Sequence, residues 1–265
     1  MAKREPKVLK EPTGFLAPMR KKWRKAKTNP IAAFFLDTLV ILVSAILLSL
    51  FIKTFLLRSF FIPSASMYDT LQINDRIIVN ELVPNIVPLQ RGDVVVFKDP
   101  GGWLCSEDPR SSNPCPDTAN KQSPSLLTQI SDYTLSLIGL AAPDSDQHLV
   151  KRVIGVAGDH DKCCDINGRI TINGVAIDET PYLPEGTAPS NTNFDVVVPK
   201  DSFWVMGDNR SNSEDSRYHP TTPGKGFVNK SFVVGRAFVI SWPAAHWTWL
   251  DDYANVFKNV PNPKP

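Results

Sequence analysis

A mainly β domain carried behind one membrane-spanning helix is the architecture this sequence predicts, and three observations predict it. Residues 30–52 form an apolar run of 23 residues with a single charge, Asp37. Beyond residue 75, short runs rich in Val, Ile and aromatic residues alternate with Gly, Pro and Asn-Gly, the pattern of strands and turns. Long strand–helix–strand alternation, which a doubly wound parallel sheet requires, is absent. At 265 residues the chain has room for one domain of roughly 200 residues with appendages.

Residues 1–28 hold ten Lys/Arg and two Glu, whereas the remainder holds nineteen basic and twenty-five acidic residues. The overall charge of +2 therefore hides a basic tail joined to an acidic body. That asymmetry argues against nucleic acid as a partner and suits a solvated or headgroup-facing tail. The anchor is read as residues 29–53. As a helix, its 23 apolar residues reach roughly 34 Å, enough for a hydrocarbon core of about 30 Å. Asn29 suits the cap and Pro30 the first helical position. A cleaved export signal has a shorter apolar core and a small-residue cleavage site, but here the bulky, charged KTFLLRSFF follows. The dense cations at 20–27, set against Lys53 and Arg58 beyond the span, predict a cytoplasmic N-terminus and an extracytoplasmic body in the cell membrane.

Residues 54–62 read as a juxtamembrane connector that either extends the helix or lies along the membrane surface, and Pro63 ends any helical run. From there to residue 250 runs the predicted domain, with strands at 76–80, 93–98, 148–156, 169–173, 194–198, 203–206 and 232–242. Asn173–Gly174 marks a hairpin. Residues 99–147 are an insertion whose helix candidate, 125–140, places its apolar residues on one face, to pack on the domain or rest on lipid. Residues 251–265 form a C-terminal tail. Four cysteines, Cys105, Cys115, Cys163 and Cys164, suit an oxidising compartment and allow three pairings. The spacing around His160 and Cys163–Cys164 fits no zinc pattern, so no metal and no cofactor is expected.

Three stretches carry chemistry. Ser64 and Ser66 stand in a Pro-started turn, 14 residues at most from the end of the span, and a serine needs a base to become a nucleophile. None of the four histidines comes with a triad signature, and no G-x-S-x-G elbow occurs. Lys151 sits inside an apolar strand. Buried, it loses basicity and becomes competent as a general base, with Arg152 adding to that shift; at a strand edge it would only bury its stem and keep its ammonium wet. The third stretch, 207–217, is polar: a loop held by an Asp–Arg pair, without calcium-loop spacing.

In order, the blocks 63–71, RGDVVVF at 91–97, KRVIGVAGD at 151–159 and GDNRSNSEDSR at 207–217 resemble the bacterial type I signal peptidases. These are membrane-bound serine endopeptidases that remove signal peptides from exported proteins. The resemblance implies a fold of coiled antiparallel β-sheets similar to that of the Ser/Lys self-cleaving repressors. It makes Ser66 the nucleophile and Lys151 the general base. Ser64 would join the Ser66 N–H in the oxyanion hole, and Ser213 would orient the lysine amine. Asp215 and Arg217 would pair to fix the last block, supported by Asp208, Asn209 and Arg210. Two positions depart from the family pattern. Asp69 replaces a usual Pro and would hold the turn by a side-chain hydrogen bond, and Ala157 replaces another.

The implied partners are signal peptides of preproteins and the lipid bilayer, with the chain working as a monomer near the secretion translocon. Two alternatives stay open at this point: a Ser/Lys membrane protease with one narrow target, and a relative that binds signal peptides without cutting them.

Overall fold

The computed structural model describes residues 30–104 and 148–263. The basic tail, the predicted helix at 125–140 and both Cys105 and Cys115 lie outside the described residues. The chain divides into two units, Met1–Ile52 and Lys53–Pro265.

The first element is helix α1, Pro30–Phe55. It is apolar around its whole circumference, the composition of a helix that faces lipid rather than a protein core on one side. Its Pro30–Leu50 stretch has a mean hydropathy of 2.6 and is long and apolar enough to cross a membrane. Two of its hydroxyls return to its own backbone: Thr38 Oγ1 donates to Phe34 O and Ser44 Oγ to Ile41 O.

The second unit is antiparallel β. Its strands are β1 (Leu57–Phe61), β2 (Arg76–Asn80), β3 (Val94–Lys98), β4 (His148–Gly155), β5 (His160–Cys163), β6 (Thr171–Ile172), β7 (Val175–Ala176), β8 (Phe194–Val197), β9 (Ser202–Met206), β10 (Val228–Asn229), β11 (Val233–Trp242) and β12 (Thr248–Trp249). The larger sheet runs β1–β2–β11–β3–β4–β9–β10 with β12 on β11, and the smaller runs β7–β6–β5–β8. Strand β11 is ten residues long and pairs with β2, β3 and β12. Register shifts at Val233/Gly235, Ala237/Val239 and Ile240/Trp242 bend it enough to serve all three. At Gly235 a Cβ would stand 2.4 Å from the Asn80 carbonyl oxygen, so only glycine permits this crossing. Among the described residues three apolar clusters form the core, one of them containing Met67, Leu71, Ile77 and Val79 beside the predicted serine turn.

The structure corrects several expectations. The connector at 54–62 does not continue as helix beyond Phe55; it contains β1, whose Leu57–Phe61 pairs with Asn80–Arg76 of β2. The run LLRSFFI reads as a helical extension because it is apolar and follows a helix; sheet hydrogen bonding to β2 overrides that local preference. The predicted strand 148–156 ends at Gly155, where a turn leads into β5. The C-terminal tail forms α2 (Ala254–Phe257) and buries Phe257 and Val260 against β-sheet residues. Cys163 and Cys164 form a vicinal disulfide.

Candidate active site

Strand β1 ends at Phe61, and beyond Pro63 the chain turns back on itself through two short hydrogen bonds, Tyr68 N to Ala65 O (3.1 Å) and Leu71 N to Met67 O (2.8 Å). Met67 and Leu71 are 1 % and 0 % exposed, so the turn is pinned to the core from below. Ser66 is thereby held at its rim. Asp69 is exposed and makes no side-chain hydrogen bond among the described residues, so it does not brace the turn as expected. Thr70 does, donating to Asp208 Oδ2 at 2.6 Å.

Lys151 enters from β4. It pairs with Val95 of β3 in the register and is 3 % exposed. Its Nζ lies 2.7 Å from Ser66 Oγ, and Ser64 Oγ lies 3.4 Å from the same oxygen. Burial pushes the Lys151 amine down from 10.5 to about 8, against the pull of Asp215, Asp208 and Glu214, which favour its charge. Arg217 adds to the lowering. Arg152 is the neighbour expected to do so, but alternation along the strand turns it to the other face. There it binds both oxygens of Asp208, at 2.8 and 2.7 Å, beneath the ring of Tyr182.

The 207–217 loop closes the site from β9. Asn209 N donates to Ser66 O (3.1 Å) and Asn209 Nδ2 to Ala65 O (3.0 Å), which ties this loop to the serine turn. Asp215 accepts Nε and an Nη of Arg217, each at 2.8 Å, and the Gly207 N–H at 3.0 Å. Burial alone would raise the Asp215 carboxyl; these donors outweigh it and hold the carboxyl below its ordinary value. Arg210 Nε donates to Gly207 O, and its Nη groups reach Glu179 at 3.1 and 2.6 Å. Ser213 is buried, and its Oγ finds no hydrogen-bond partner of good geometry among the described residues.

The structure thus brings Ser64, Ser66 and Lys151 together, with Asp208, Asn209, Arg210, Asp215 and Arg217 forming the scaffold behind them. Sequence reasoning missed Glu179, Thr70 and Tyr182, which anchor Arg210, Asp208 and Arg152. Glu179 sits in a turn with no motif around it. Its signal is an acidic residue left fully buried at 3 % exposure, visible only once the fold is known. Asp159 of the KRVIGVAGD block is paired bidentately with Arg91 of the RGDVVVF block, at 2.7 and 2.6 Å. No group of three or more His, Cys, Asp or Glu suited to a metal occurs among the described residues.

A cleft of about 260 Å³ opens beside Ser66 and Lys151. Phe60, Ile62, Met67, Leu104, Leu149 and Val150 give it an apolar lining. Residues 148–151 of β4 pair with β3 on one side, whereas β9 joins the other side only from Arg152.

The family model for signal peptidase, peptidase S26, matches residues 35–242. A probable signal peptidase I of Mycobacterium leprae (strain TN) is 34% identical over 235 residues, 78% of this chain and 76% of that protein. Signal peptidase I of Mycobacterium tuberculosis (strain ATCC 25618 / H37Rv) is 34% identical over 244 residues, 84% of this chain and 76% of that protein. The crystal structure of a signal peptidase I from Enterococcus faecalis V583 covers 56% of this chain and 95% of its own, at 21% identity and a TM-score of 0.31. With the family model spanning most of the chain and such relatives aligned along it, this chain belongs to the signal peptidase family of serine endopeptidases, peptidase S26.

Proposed function

We propose that the chain cleaves N-terminal signal peptides from exported preproteins after small-x-small sites, with Ser66 as nucleophile and Lys151 as general base. The observation that carries this reading is the 2.7 Å contact between Lys151 Nζ and Ser66 Oγ in a site where the amine is 3 % exposed. At that distance a neutral amine accepts the hydroxyl proton directly as Oγ attacks the scissile carbonyl. The oxyanion collects the Ser66 N–H and the Ser64 hydroxyl. The Lys151 ammonium then gives its proton to the leaving amine. After that, the neutral lysine takes a proton from water as the water oxygen attacks the acyl carbon. The ammonium returns that proton to Ser66 Oγ as the ester bond breaks and the signal peptide leaves with a free carboxylate.

The apolar cleft suits small aliphatic side chains, and the stretch of β4 at 148–151 that β9 does not join suits an extended peptide that adds as a strand. The apolar α1 is the anchor that keeps such a site with membrane-borne substrates. The basic tail supports a cytoplasmic N-terminus and an extracytoplasmic catalytic unit at the cell membrane, acting as a monomer near the translocon. Trp242, Trp247 and Trp249 are exposed on the β11–β12 hairpin and suit a lipid headgroup surface.

The test is processing of several unrelated preproteins in detergent by the intact chain and its variants. The intact chain is expected to release each mature protein, and Ser66→Ala and Lys151→Ala are expected to release none above background. Ser64→Ala should lower turnover by about 10²–10³ with substrate binding retained. Undiminished cleavage by either dyad variant would defeat the mechanism. Cleavage of a single preprotein among many would point instead to a protease with one target.

A further inference from the structure

The segment 99–104 follows β3 and contributes Leu104 to the cleft that also holds Ser66 and Lys151. Its conformation is fixed from two sides. The Asp99 carboxylate accepts the N–H groups of Gly101 (2.8 Å), Trp103 (3.0 Å) and Leu104 (3.0 Å), which folds the segment into a tight turn. Gly101 and Gly102 both take positive φ there, 114° and 81°, so the turn needs those glycines. Trp103 is then buried at 6 % exposure, edge-on to Phe97 and stacked face to face on His219 at 4.4 Å with 15° between the ring planes. His219 follows directly on Ser216–Tyr218, the 3₁₀ turn capped by Asp215, and its carbonyl is bound by Thr222 Oγ1 at 2.8 Å. The same loop that bears Ser213 and Asp215 therefore clamps the residue next to Leu104.

We propose that Leu104 is a specificity-determining residue, a rigid wall that limits the size of a substrate side chain entering the cleft, and that the Trp103–His219 stack is the pair that positions it. The reading rests on the proposed peptidase function and adds to it the physical element that enforces a small residue. A leucine on a mobile loop would yield to a bulkier substrate. One bracketed by three backbone hydrogen bonds and a buried aromatic stack does not, because moving it breaks packing as well as the turn.

The experiment measures kcat/KM for peptides with Ala or Leu at each of the two small positions in turn, using the intact chain in detergent. For Leu104→Ala, the ratio of Leu- to Ala-peptide cleavage at one position is expected to rise by about tenfold or more, the discrimination a few methylene groups supply. Trp103→Ala should raise the same ratio, and His219→Phe, which keeps a stacking ring, should leave it near the original value. A purely structural role would lower cleavage of all peptides together and leave the ratio fixed. An unchanged ratio at both positions in Leu104→Ala overturns the assignment while leaving the peptidase reading intact. Failure of the unaltered chain to cleave any Ala peptide overturns both.

Discussion

At the scale of single residues, the proposed chemistry rests on a lysine that the fold holds at reduced basicity. Its amine drops from 10.5 to about 8 because burial penalises the ammonium more than three nearby carboxylates favour it. In the proposed mechanism only the neutral amine serves as base, so kcat/KM is expected to rise with pH up to about 8 and level off above it. Below that, it should fall tenfold per pH unit; a rate flat down to pH 5, measured on a short peptide, would contradict this. The same shift acts on stability. Between pH 8 and 10.5 the unfolded chain binds more protons at this position than the folded one, so folded stability rises with pH across that window and the full cost is present below it. A shift of this size corresponds to roughly 3 kcal/mol. Lys151→Met, which keeps the volume and removes the amine, should stabilise the fold by up to about that amount at pH 7. The advantage should vanish by pH 10.5, as read from denaturant midpoints.

At the scale of elements, the site depends on how closely two loops approach. The 207–217 loop grips the serine turn through Asn209, and at Gly207 a Cβ would stand 2.2 Å from Ser213 Oγ and 2.4 Å from Ser66 O. Both contacts lie far inside van der Waals distance, so Gly207→Ala must push the loop from the turn. Displacing a nucleophile by about 1 Å costs on the order of 10² in rate, whereas overpacking of this kind costs about 1–3 kcal/mol in stability. The expected result is a folded chain with kcat/KM down by about 10². Unaltered turnover would mean that Ser66 is not held by this contact. Behind the loop, buried pairs act as struts: Arg152–Asp208, Arg210–Glu179 and Arg217–Asp215, each with both side chains at no more than 1 % exposure. Such pairs are weak evidence for net stability, but losing one partner strands a buried charge at about 3–5 kcal/mol.

At the scale of the whole molecule, the catalytic unit carries its own core. Its sheets, its three apolar clusters and every residue of the proposed site fall within Lys53–Pro265. A fragment of residues 53–265 is expected to fold and to cleave a short soluble peptide with kcat/KM within about tenfold of the intact chain. Its advantage on membrane-inserted preproteins should be lost, because the tether supplies a high effective concentration at the bilayer. Circular dichroism and the two assays in parallel check this. Loss of the folded signature would show that the helix contributes to the domain itself.

The sequence by itself determined the long apolar helix and the β class, and through the family resemblance it singled out Ser66, Lys151 and the polar loop behind them as the candidate site. Each is written locally, as an apolar run, as period and punctuation, or as a block of residue types at fixed spacing. Tertiary structure alone decided that 57–61 is a strand on β2, that Glu179 pairs with Arg210, and that burial, with a smaller push from Arg217, depresses the lysine. It alone seated Leu104 in the cleft. Those outcomes depend on groups far apart in the chain, whose burial and proximity are set by sheet register and not by any neighbour in sequence. A lysine announces its position by its type; how much water and charge surround it is settled only when the distant strands have paired.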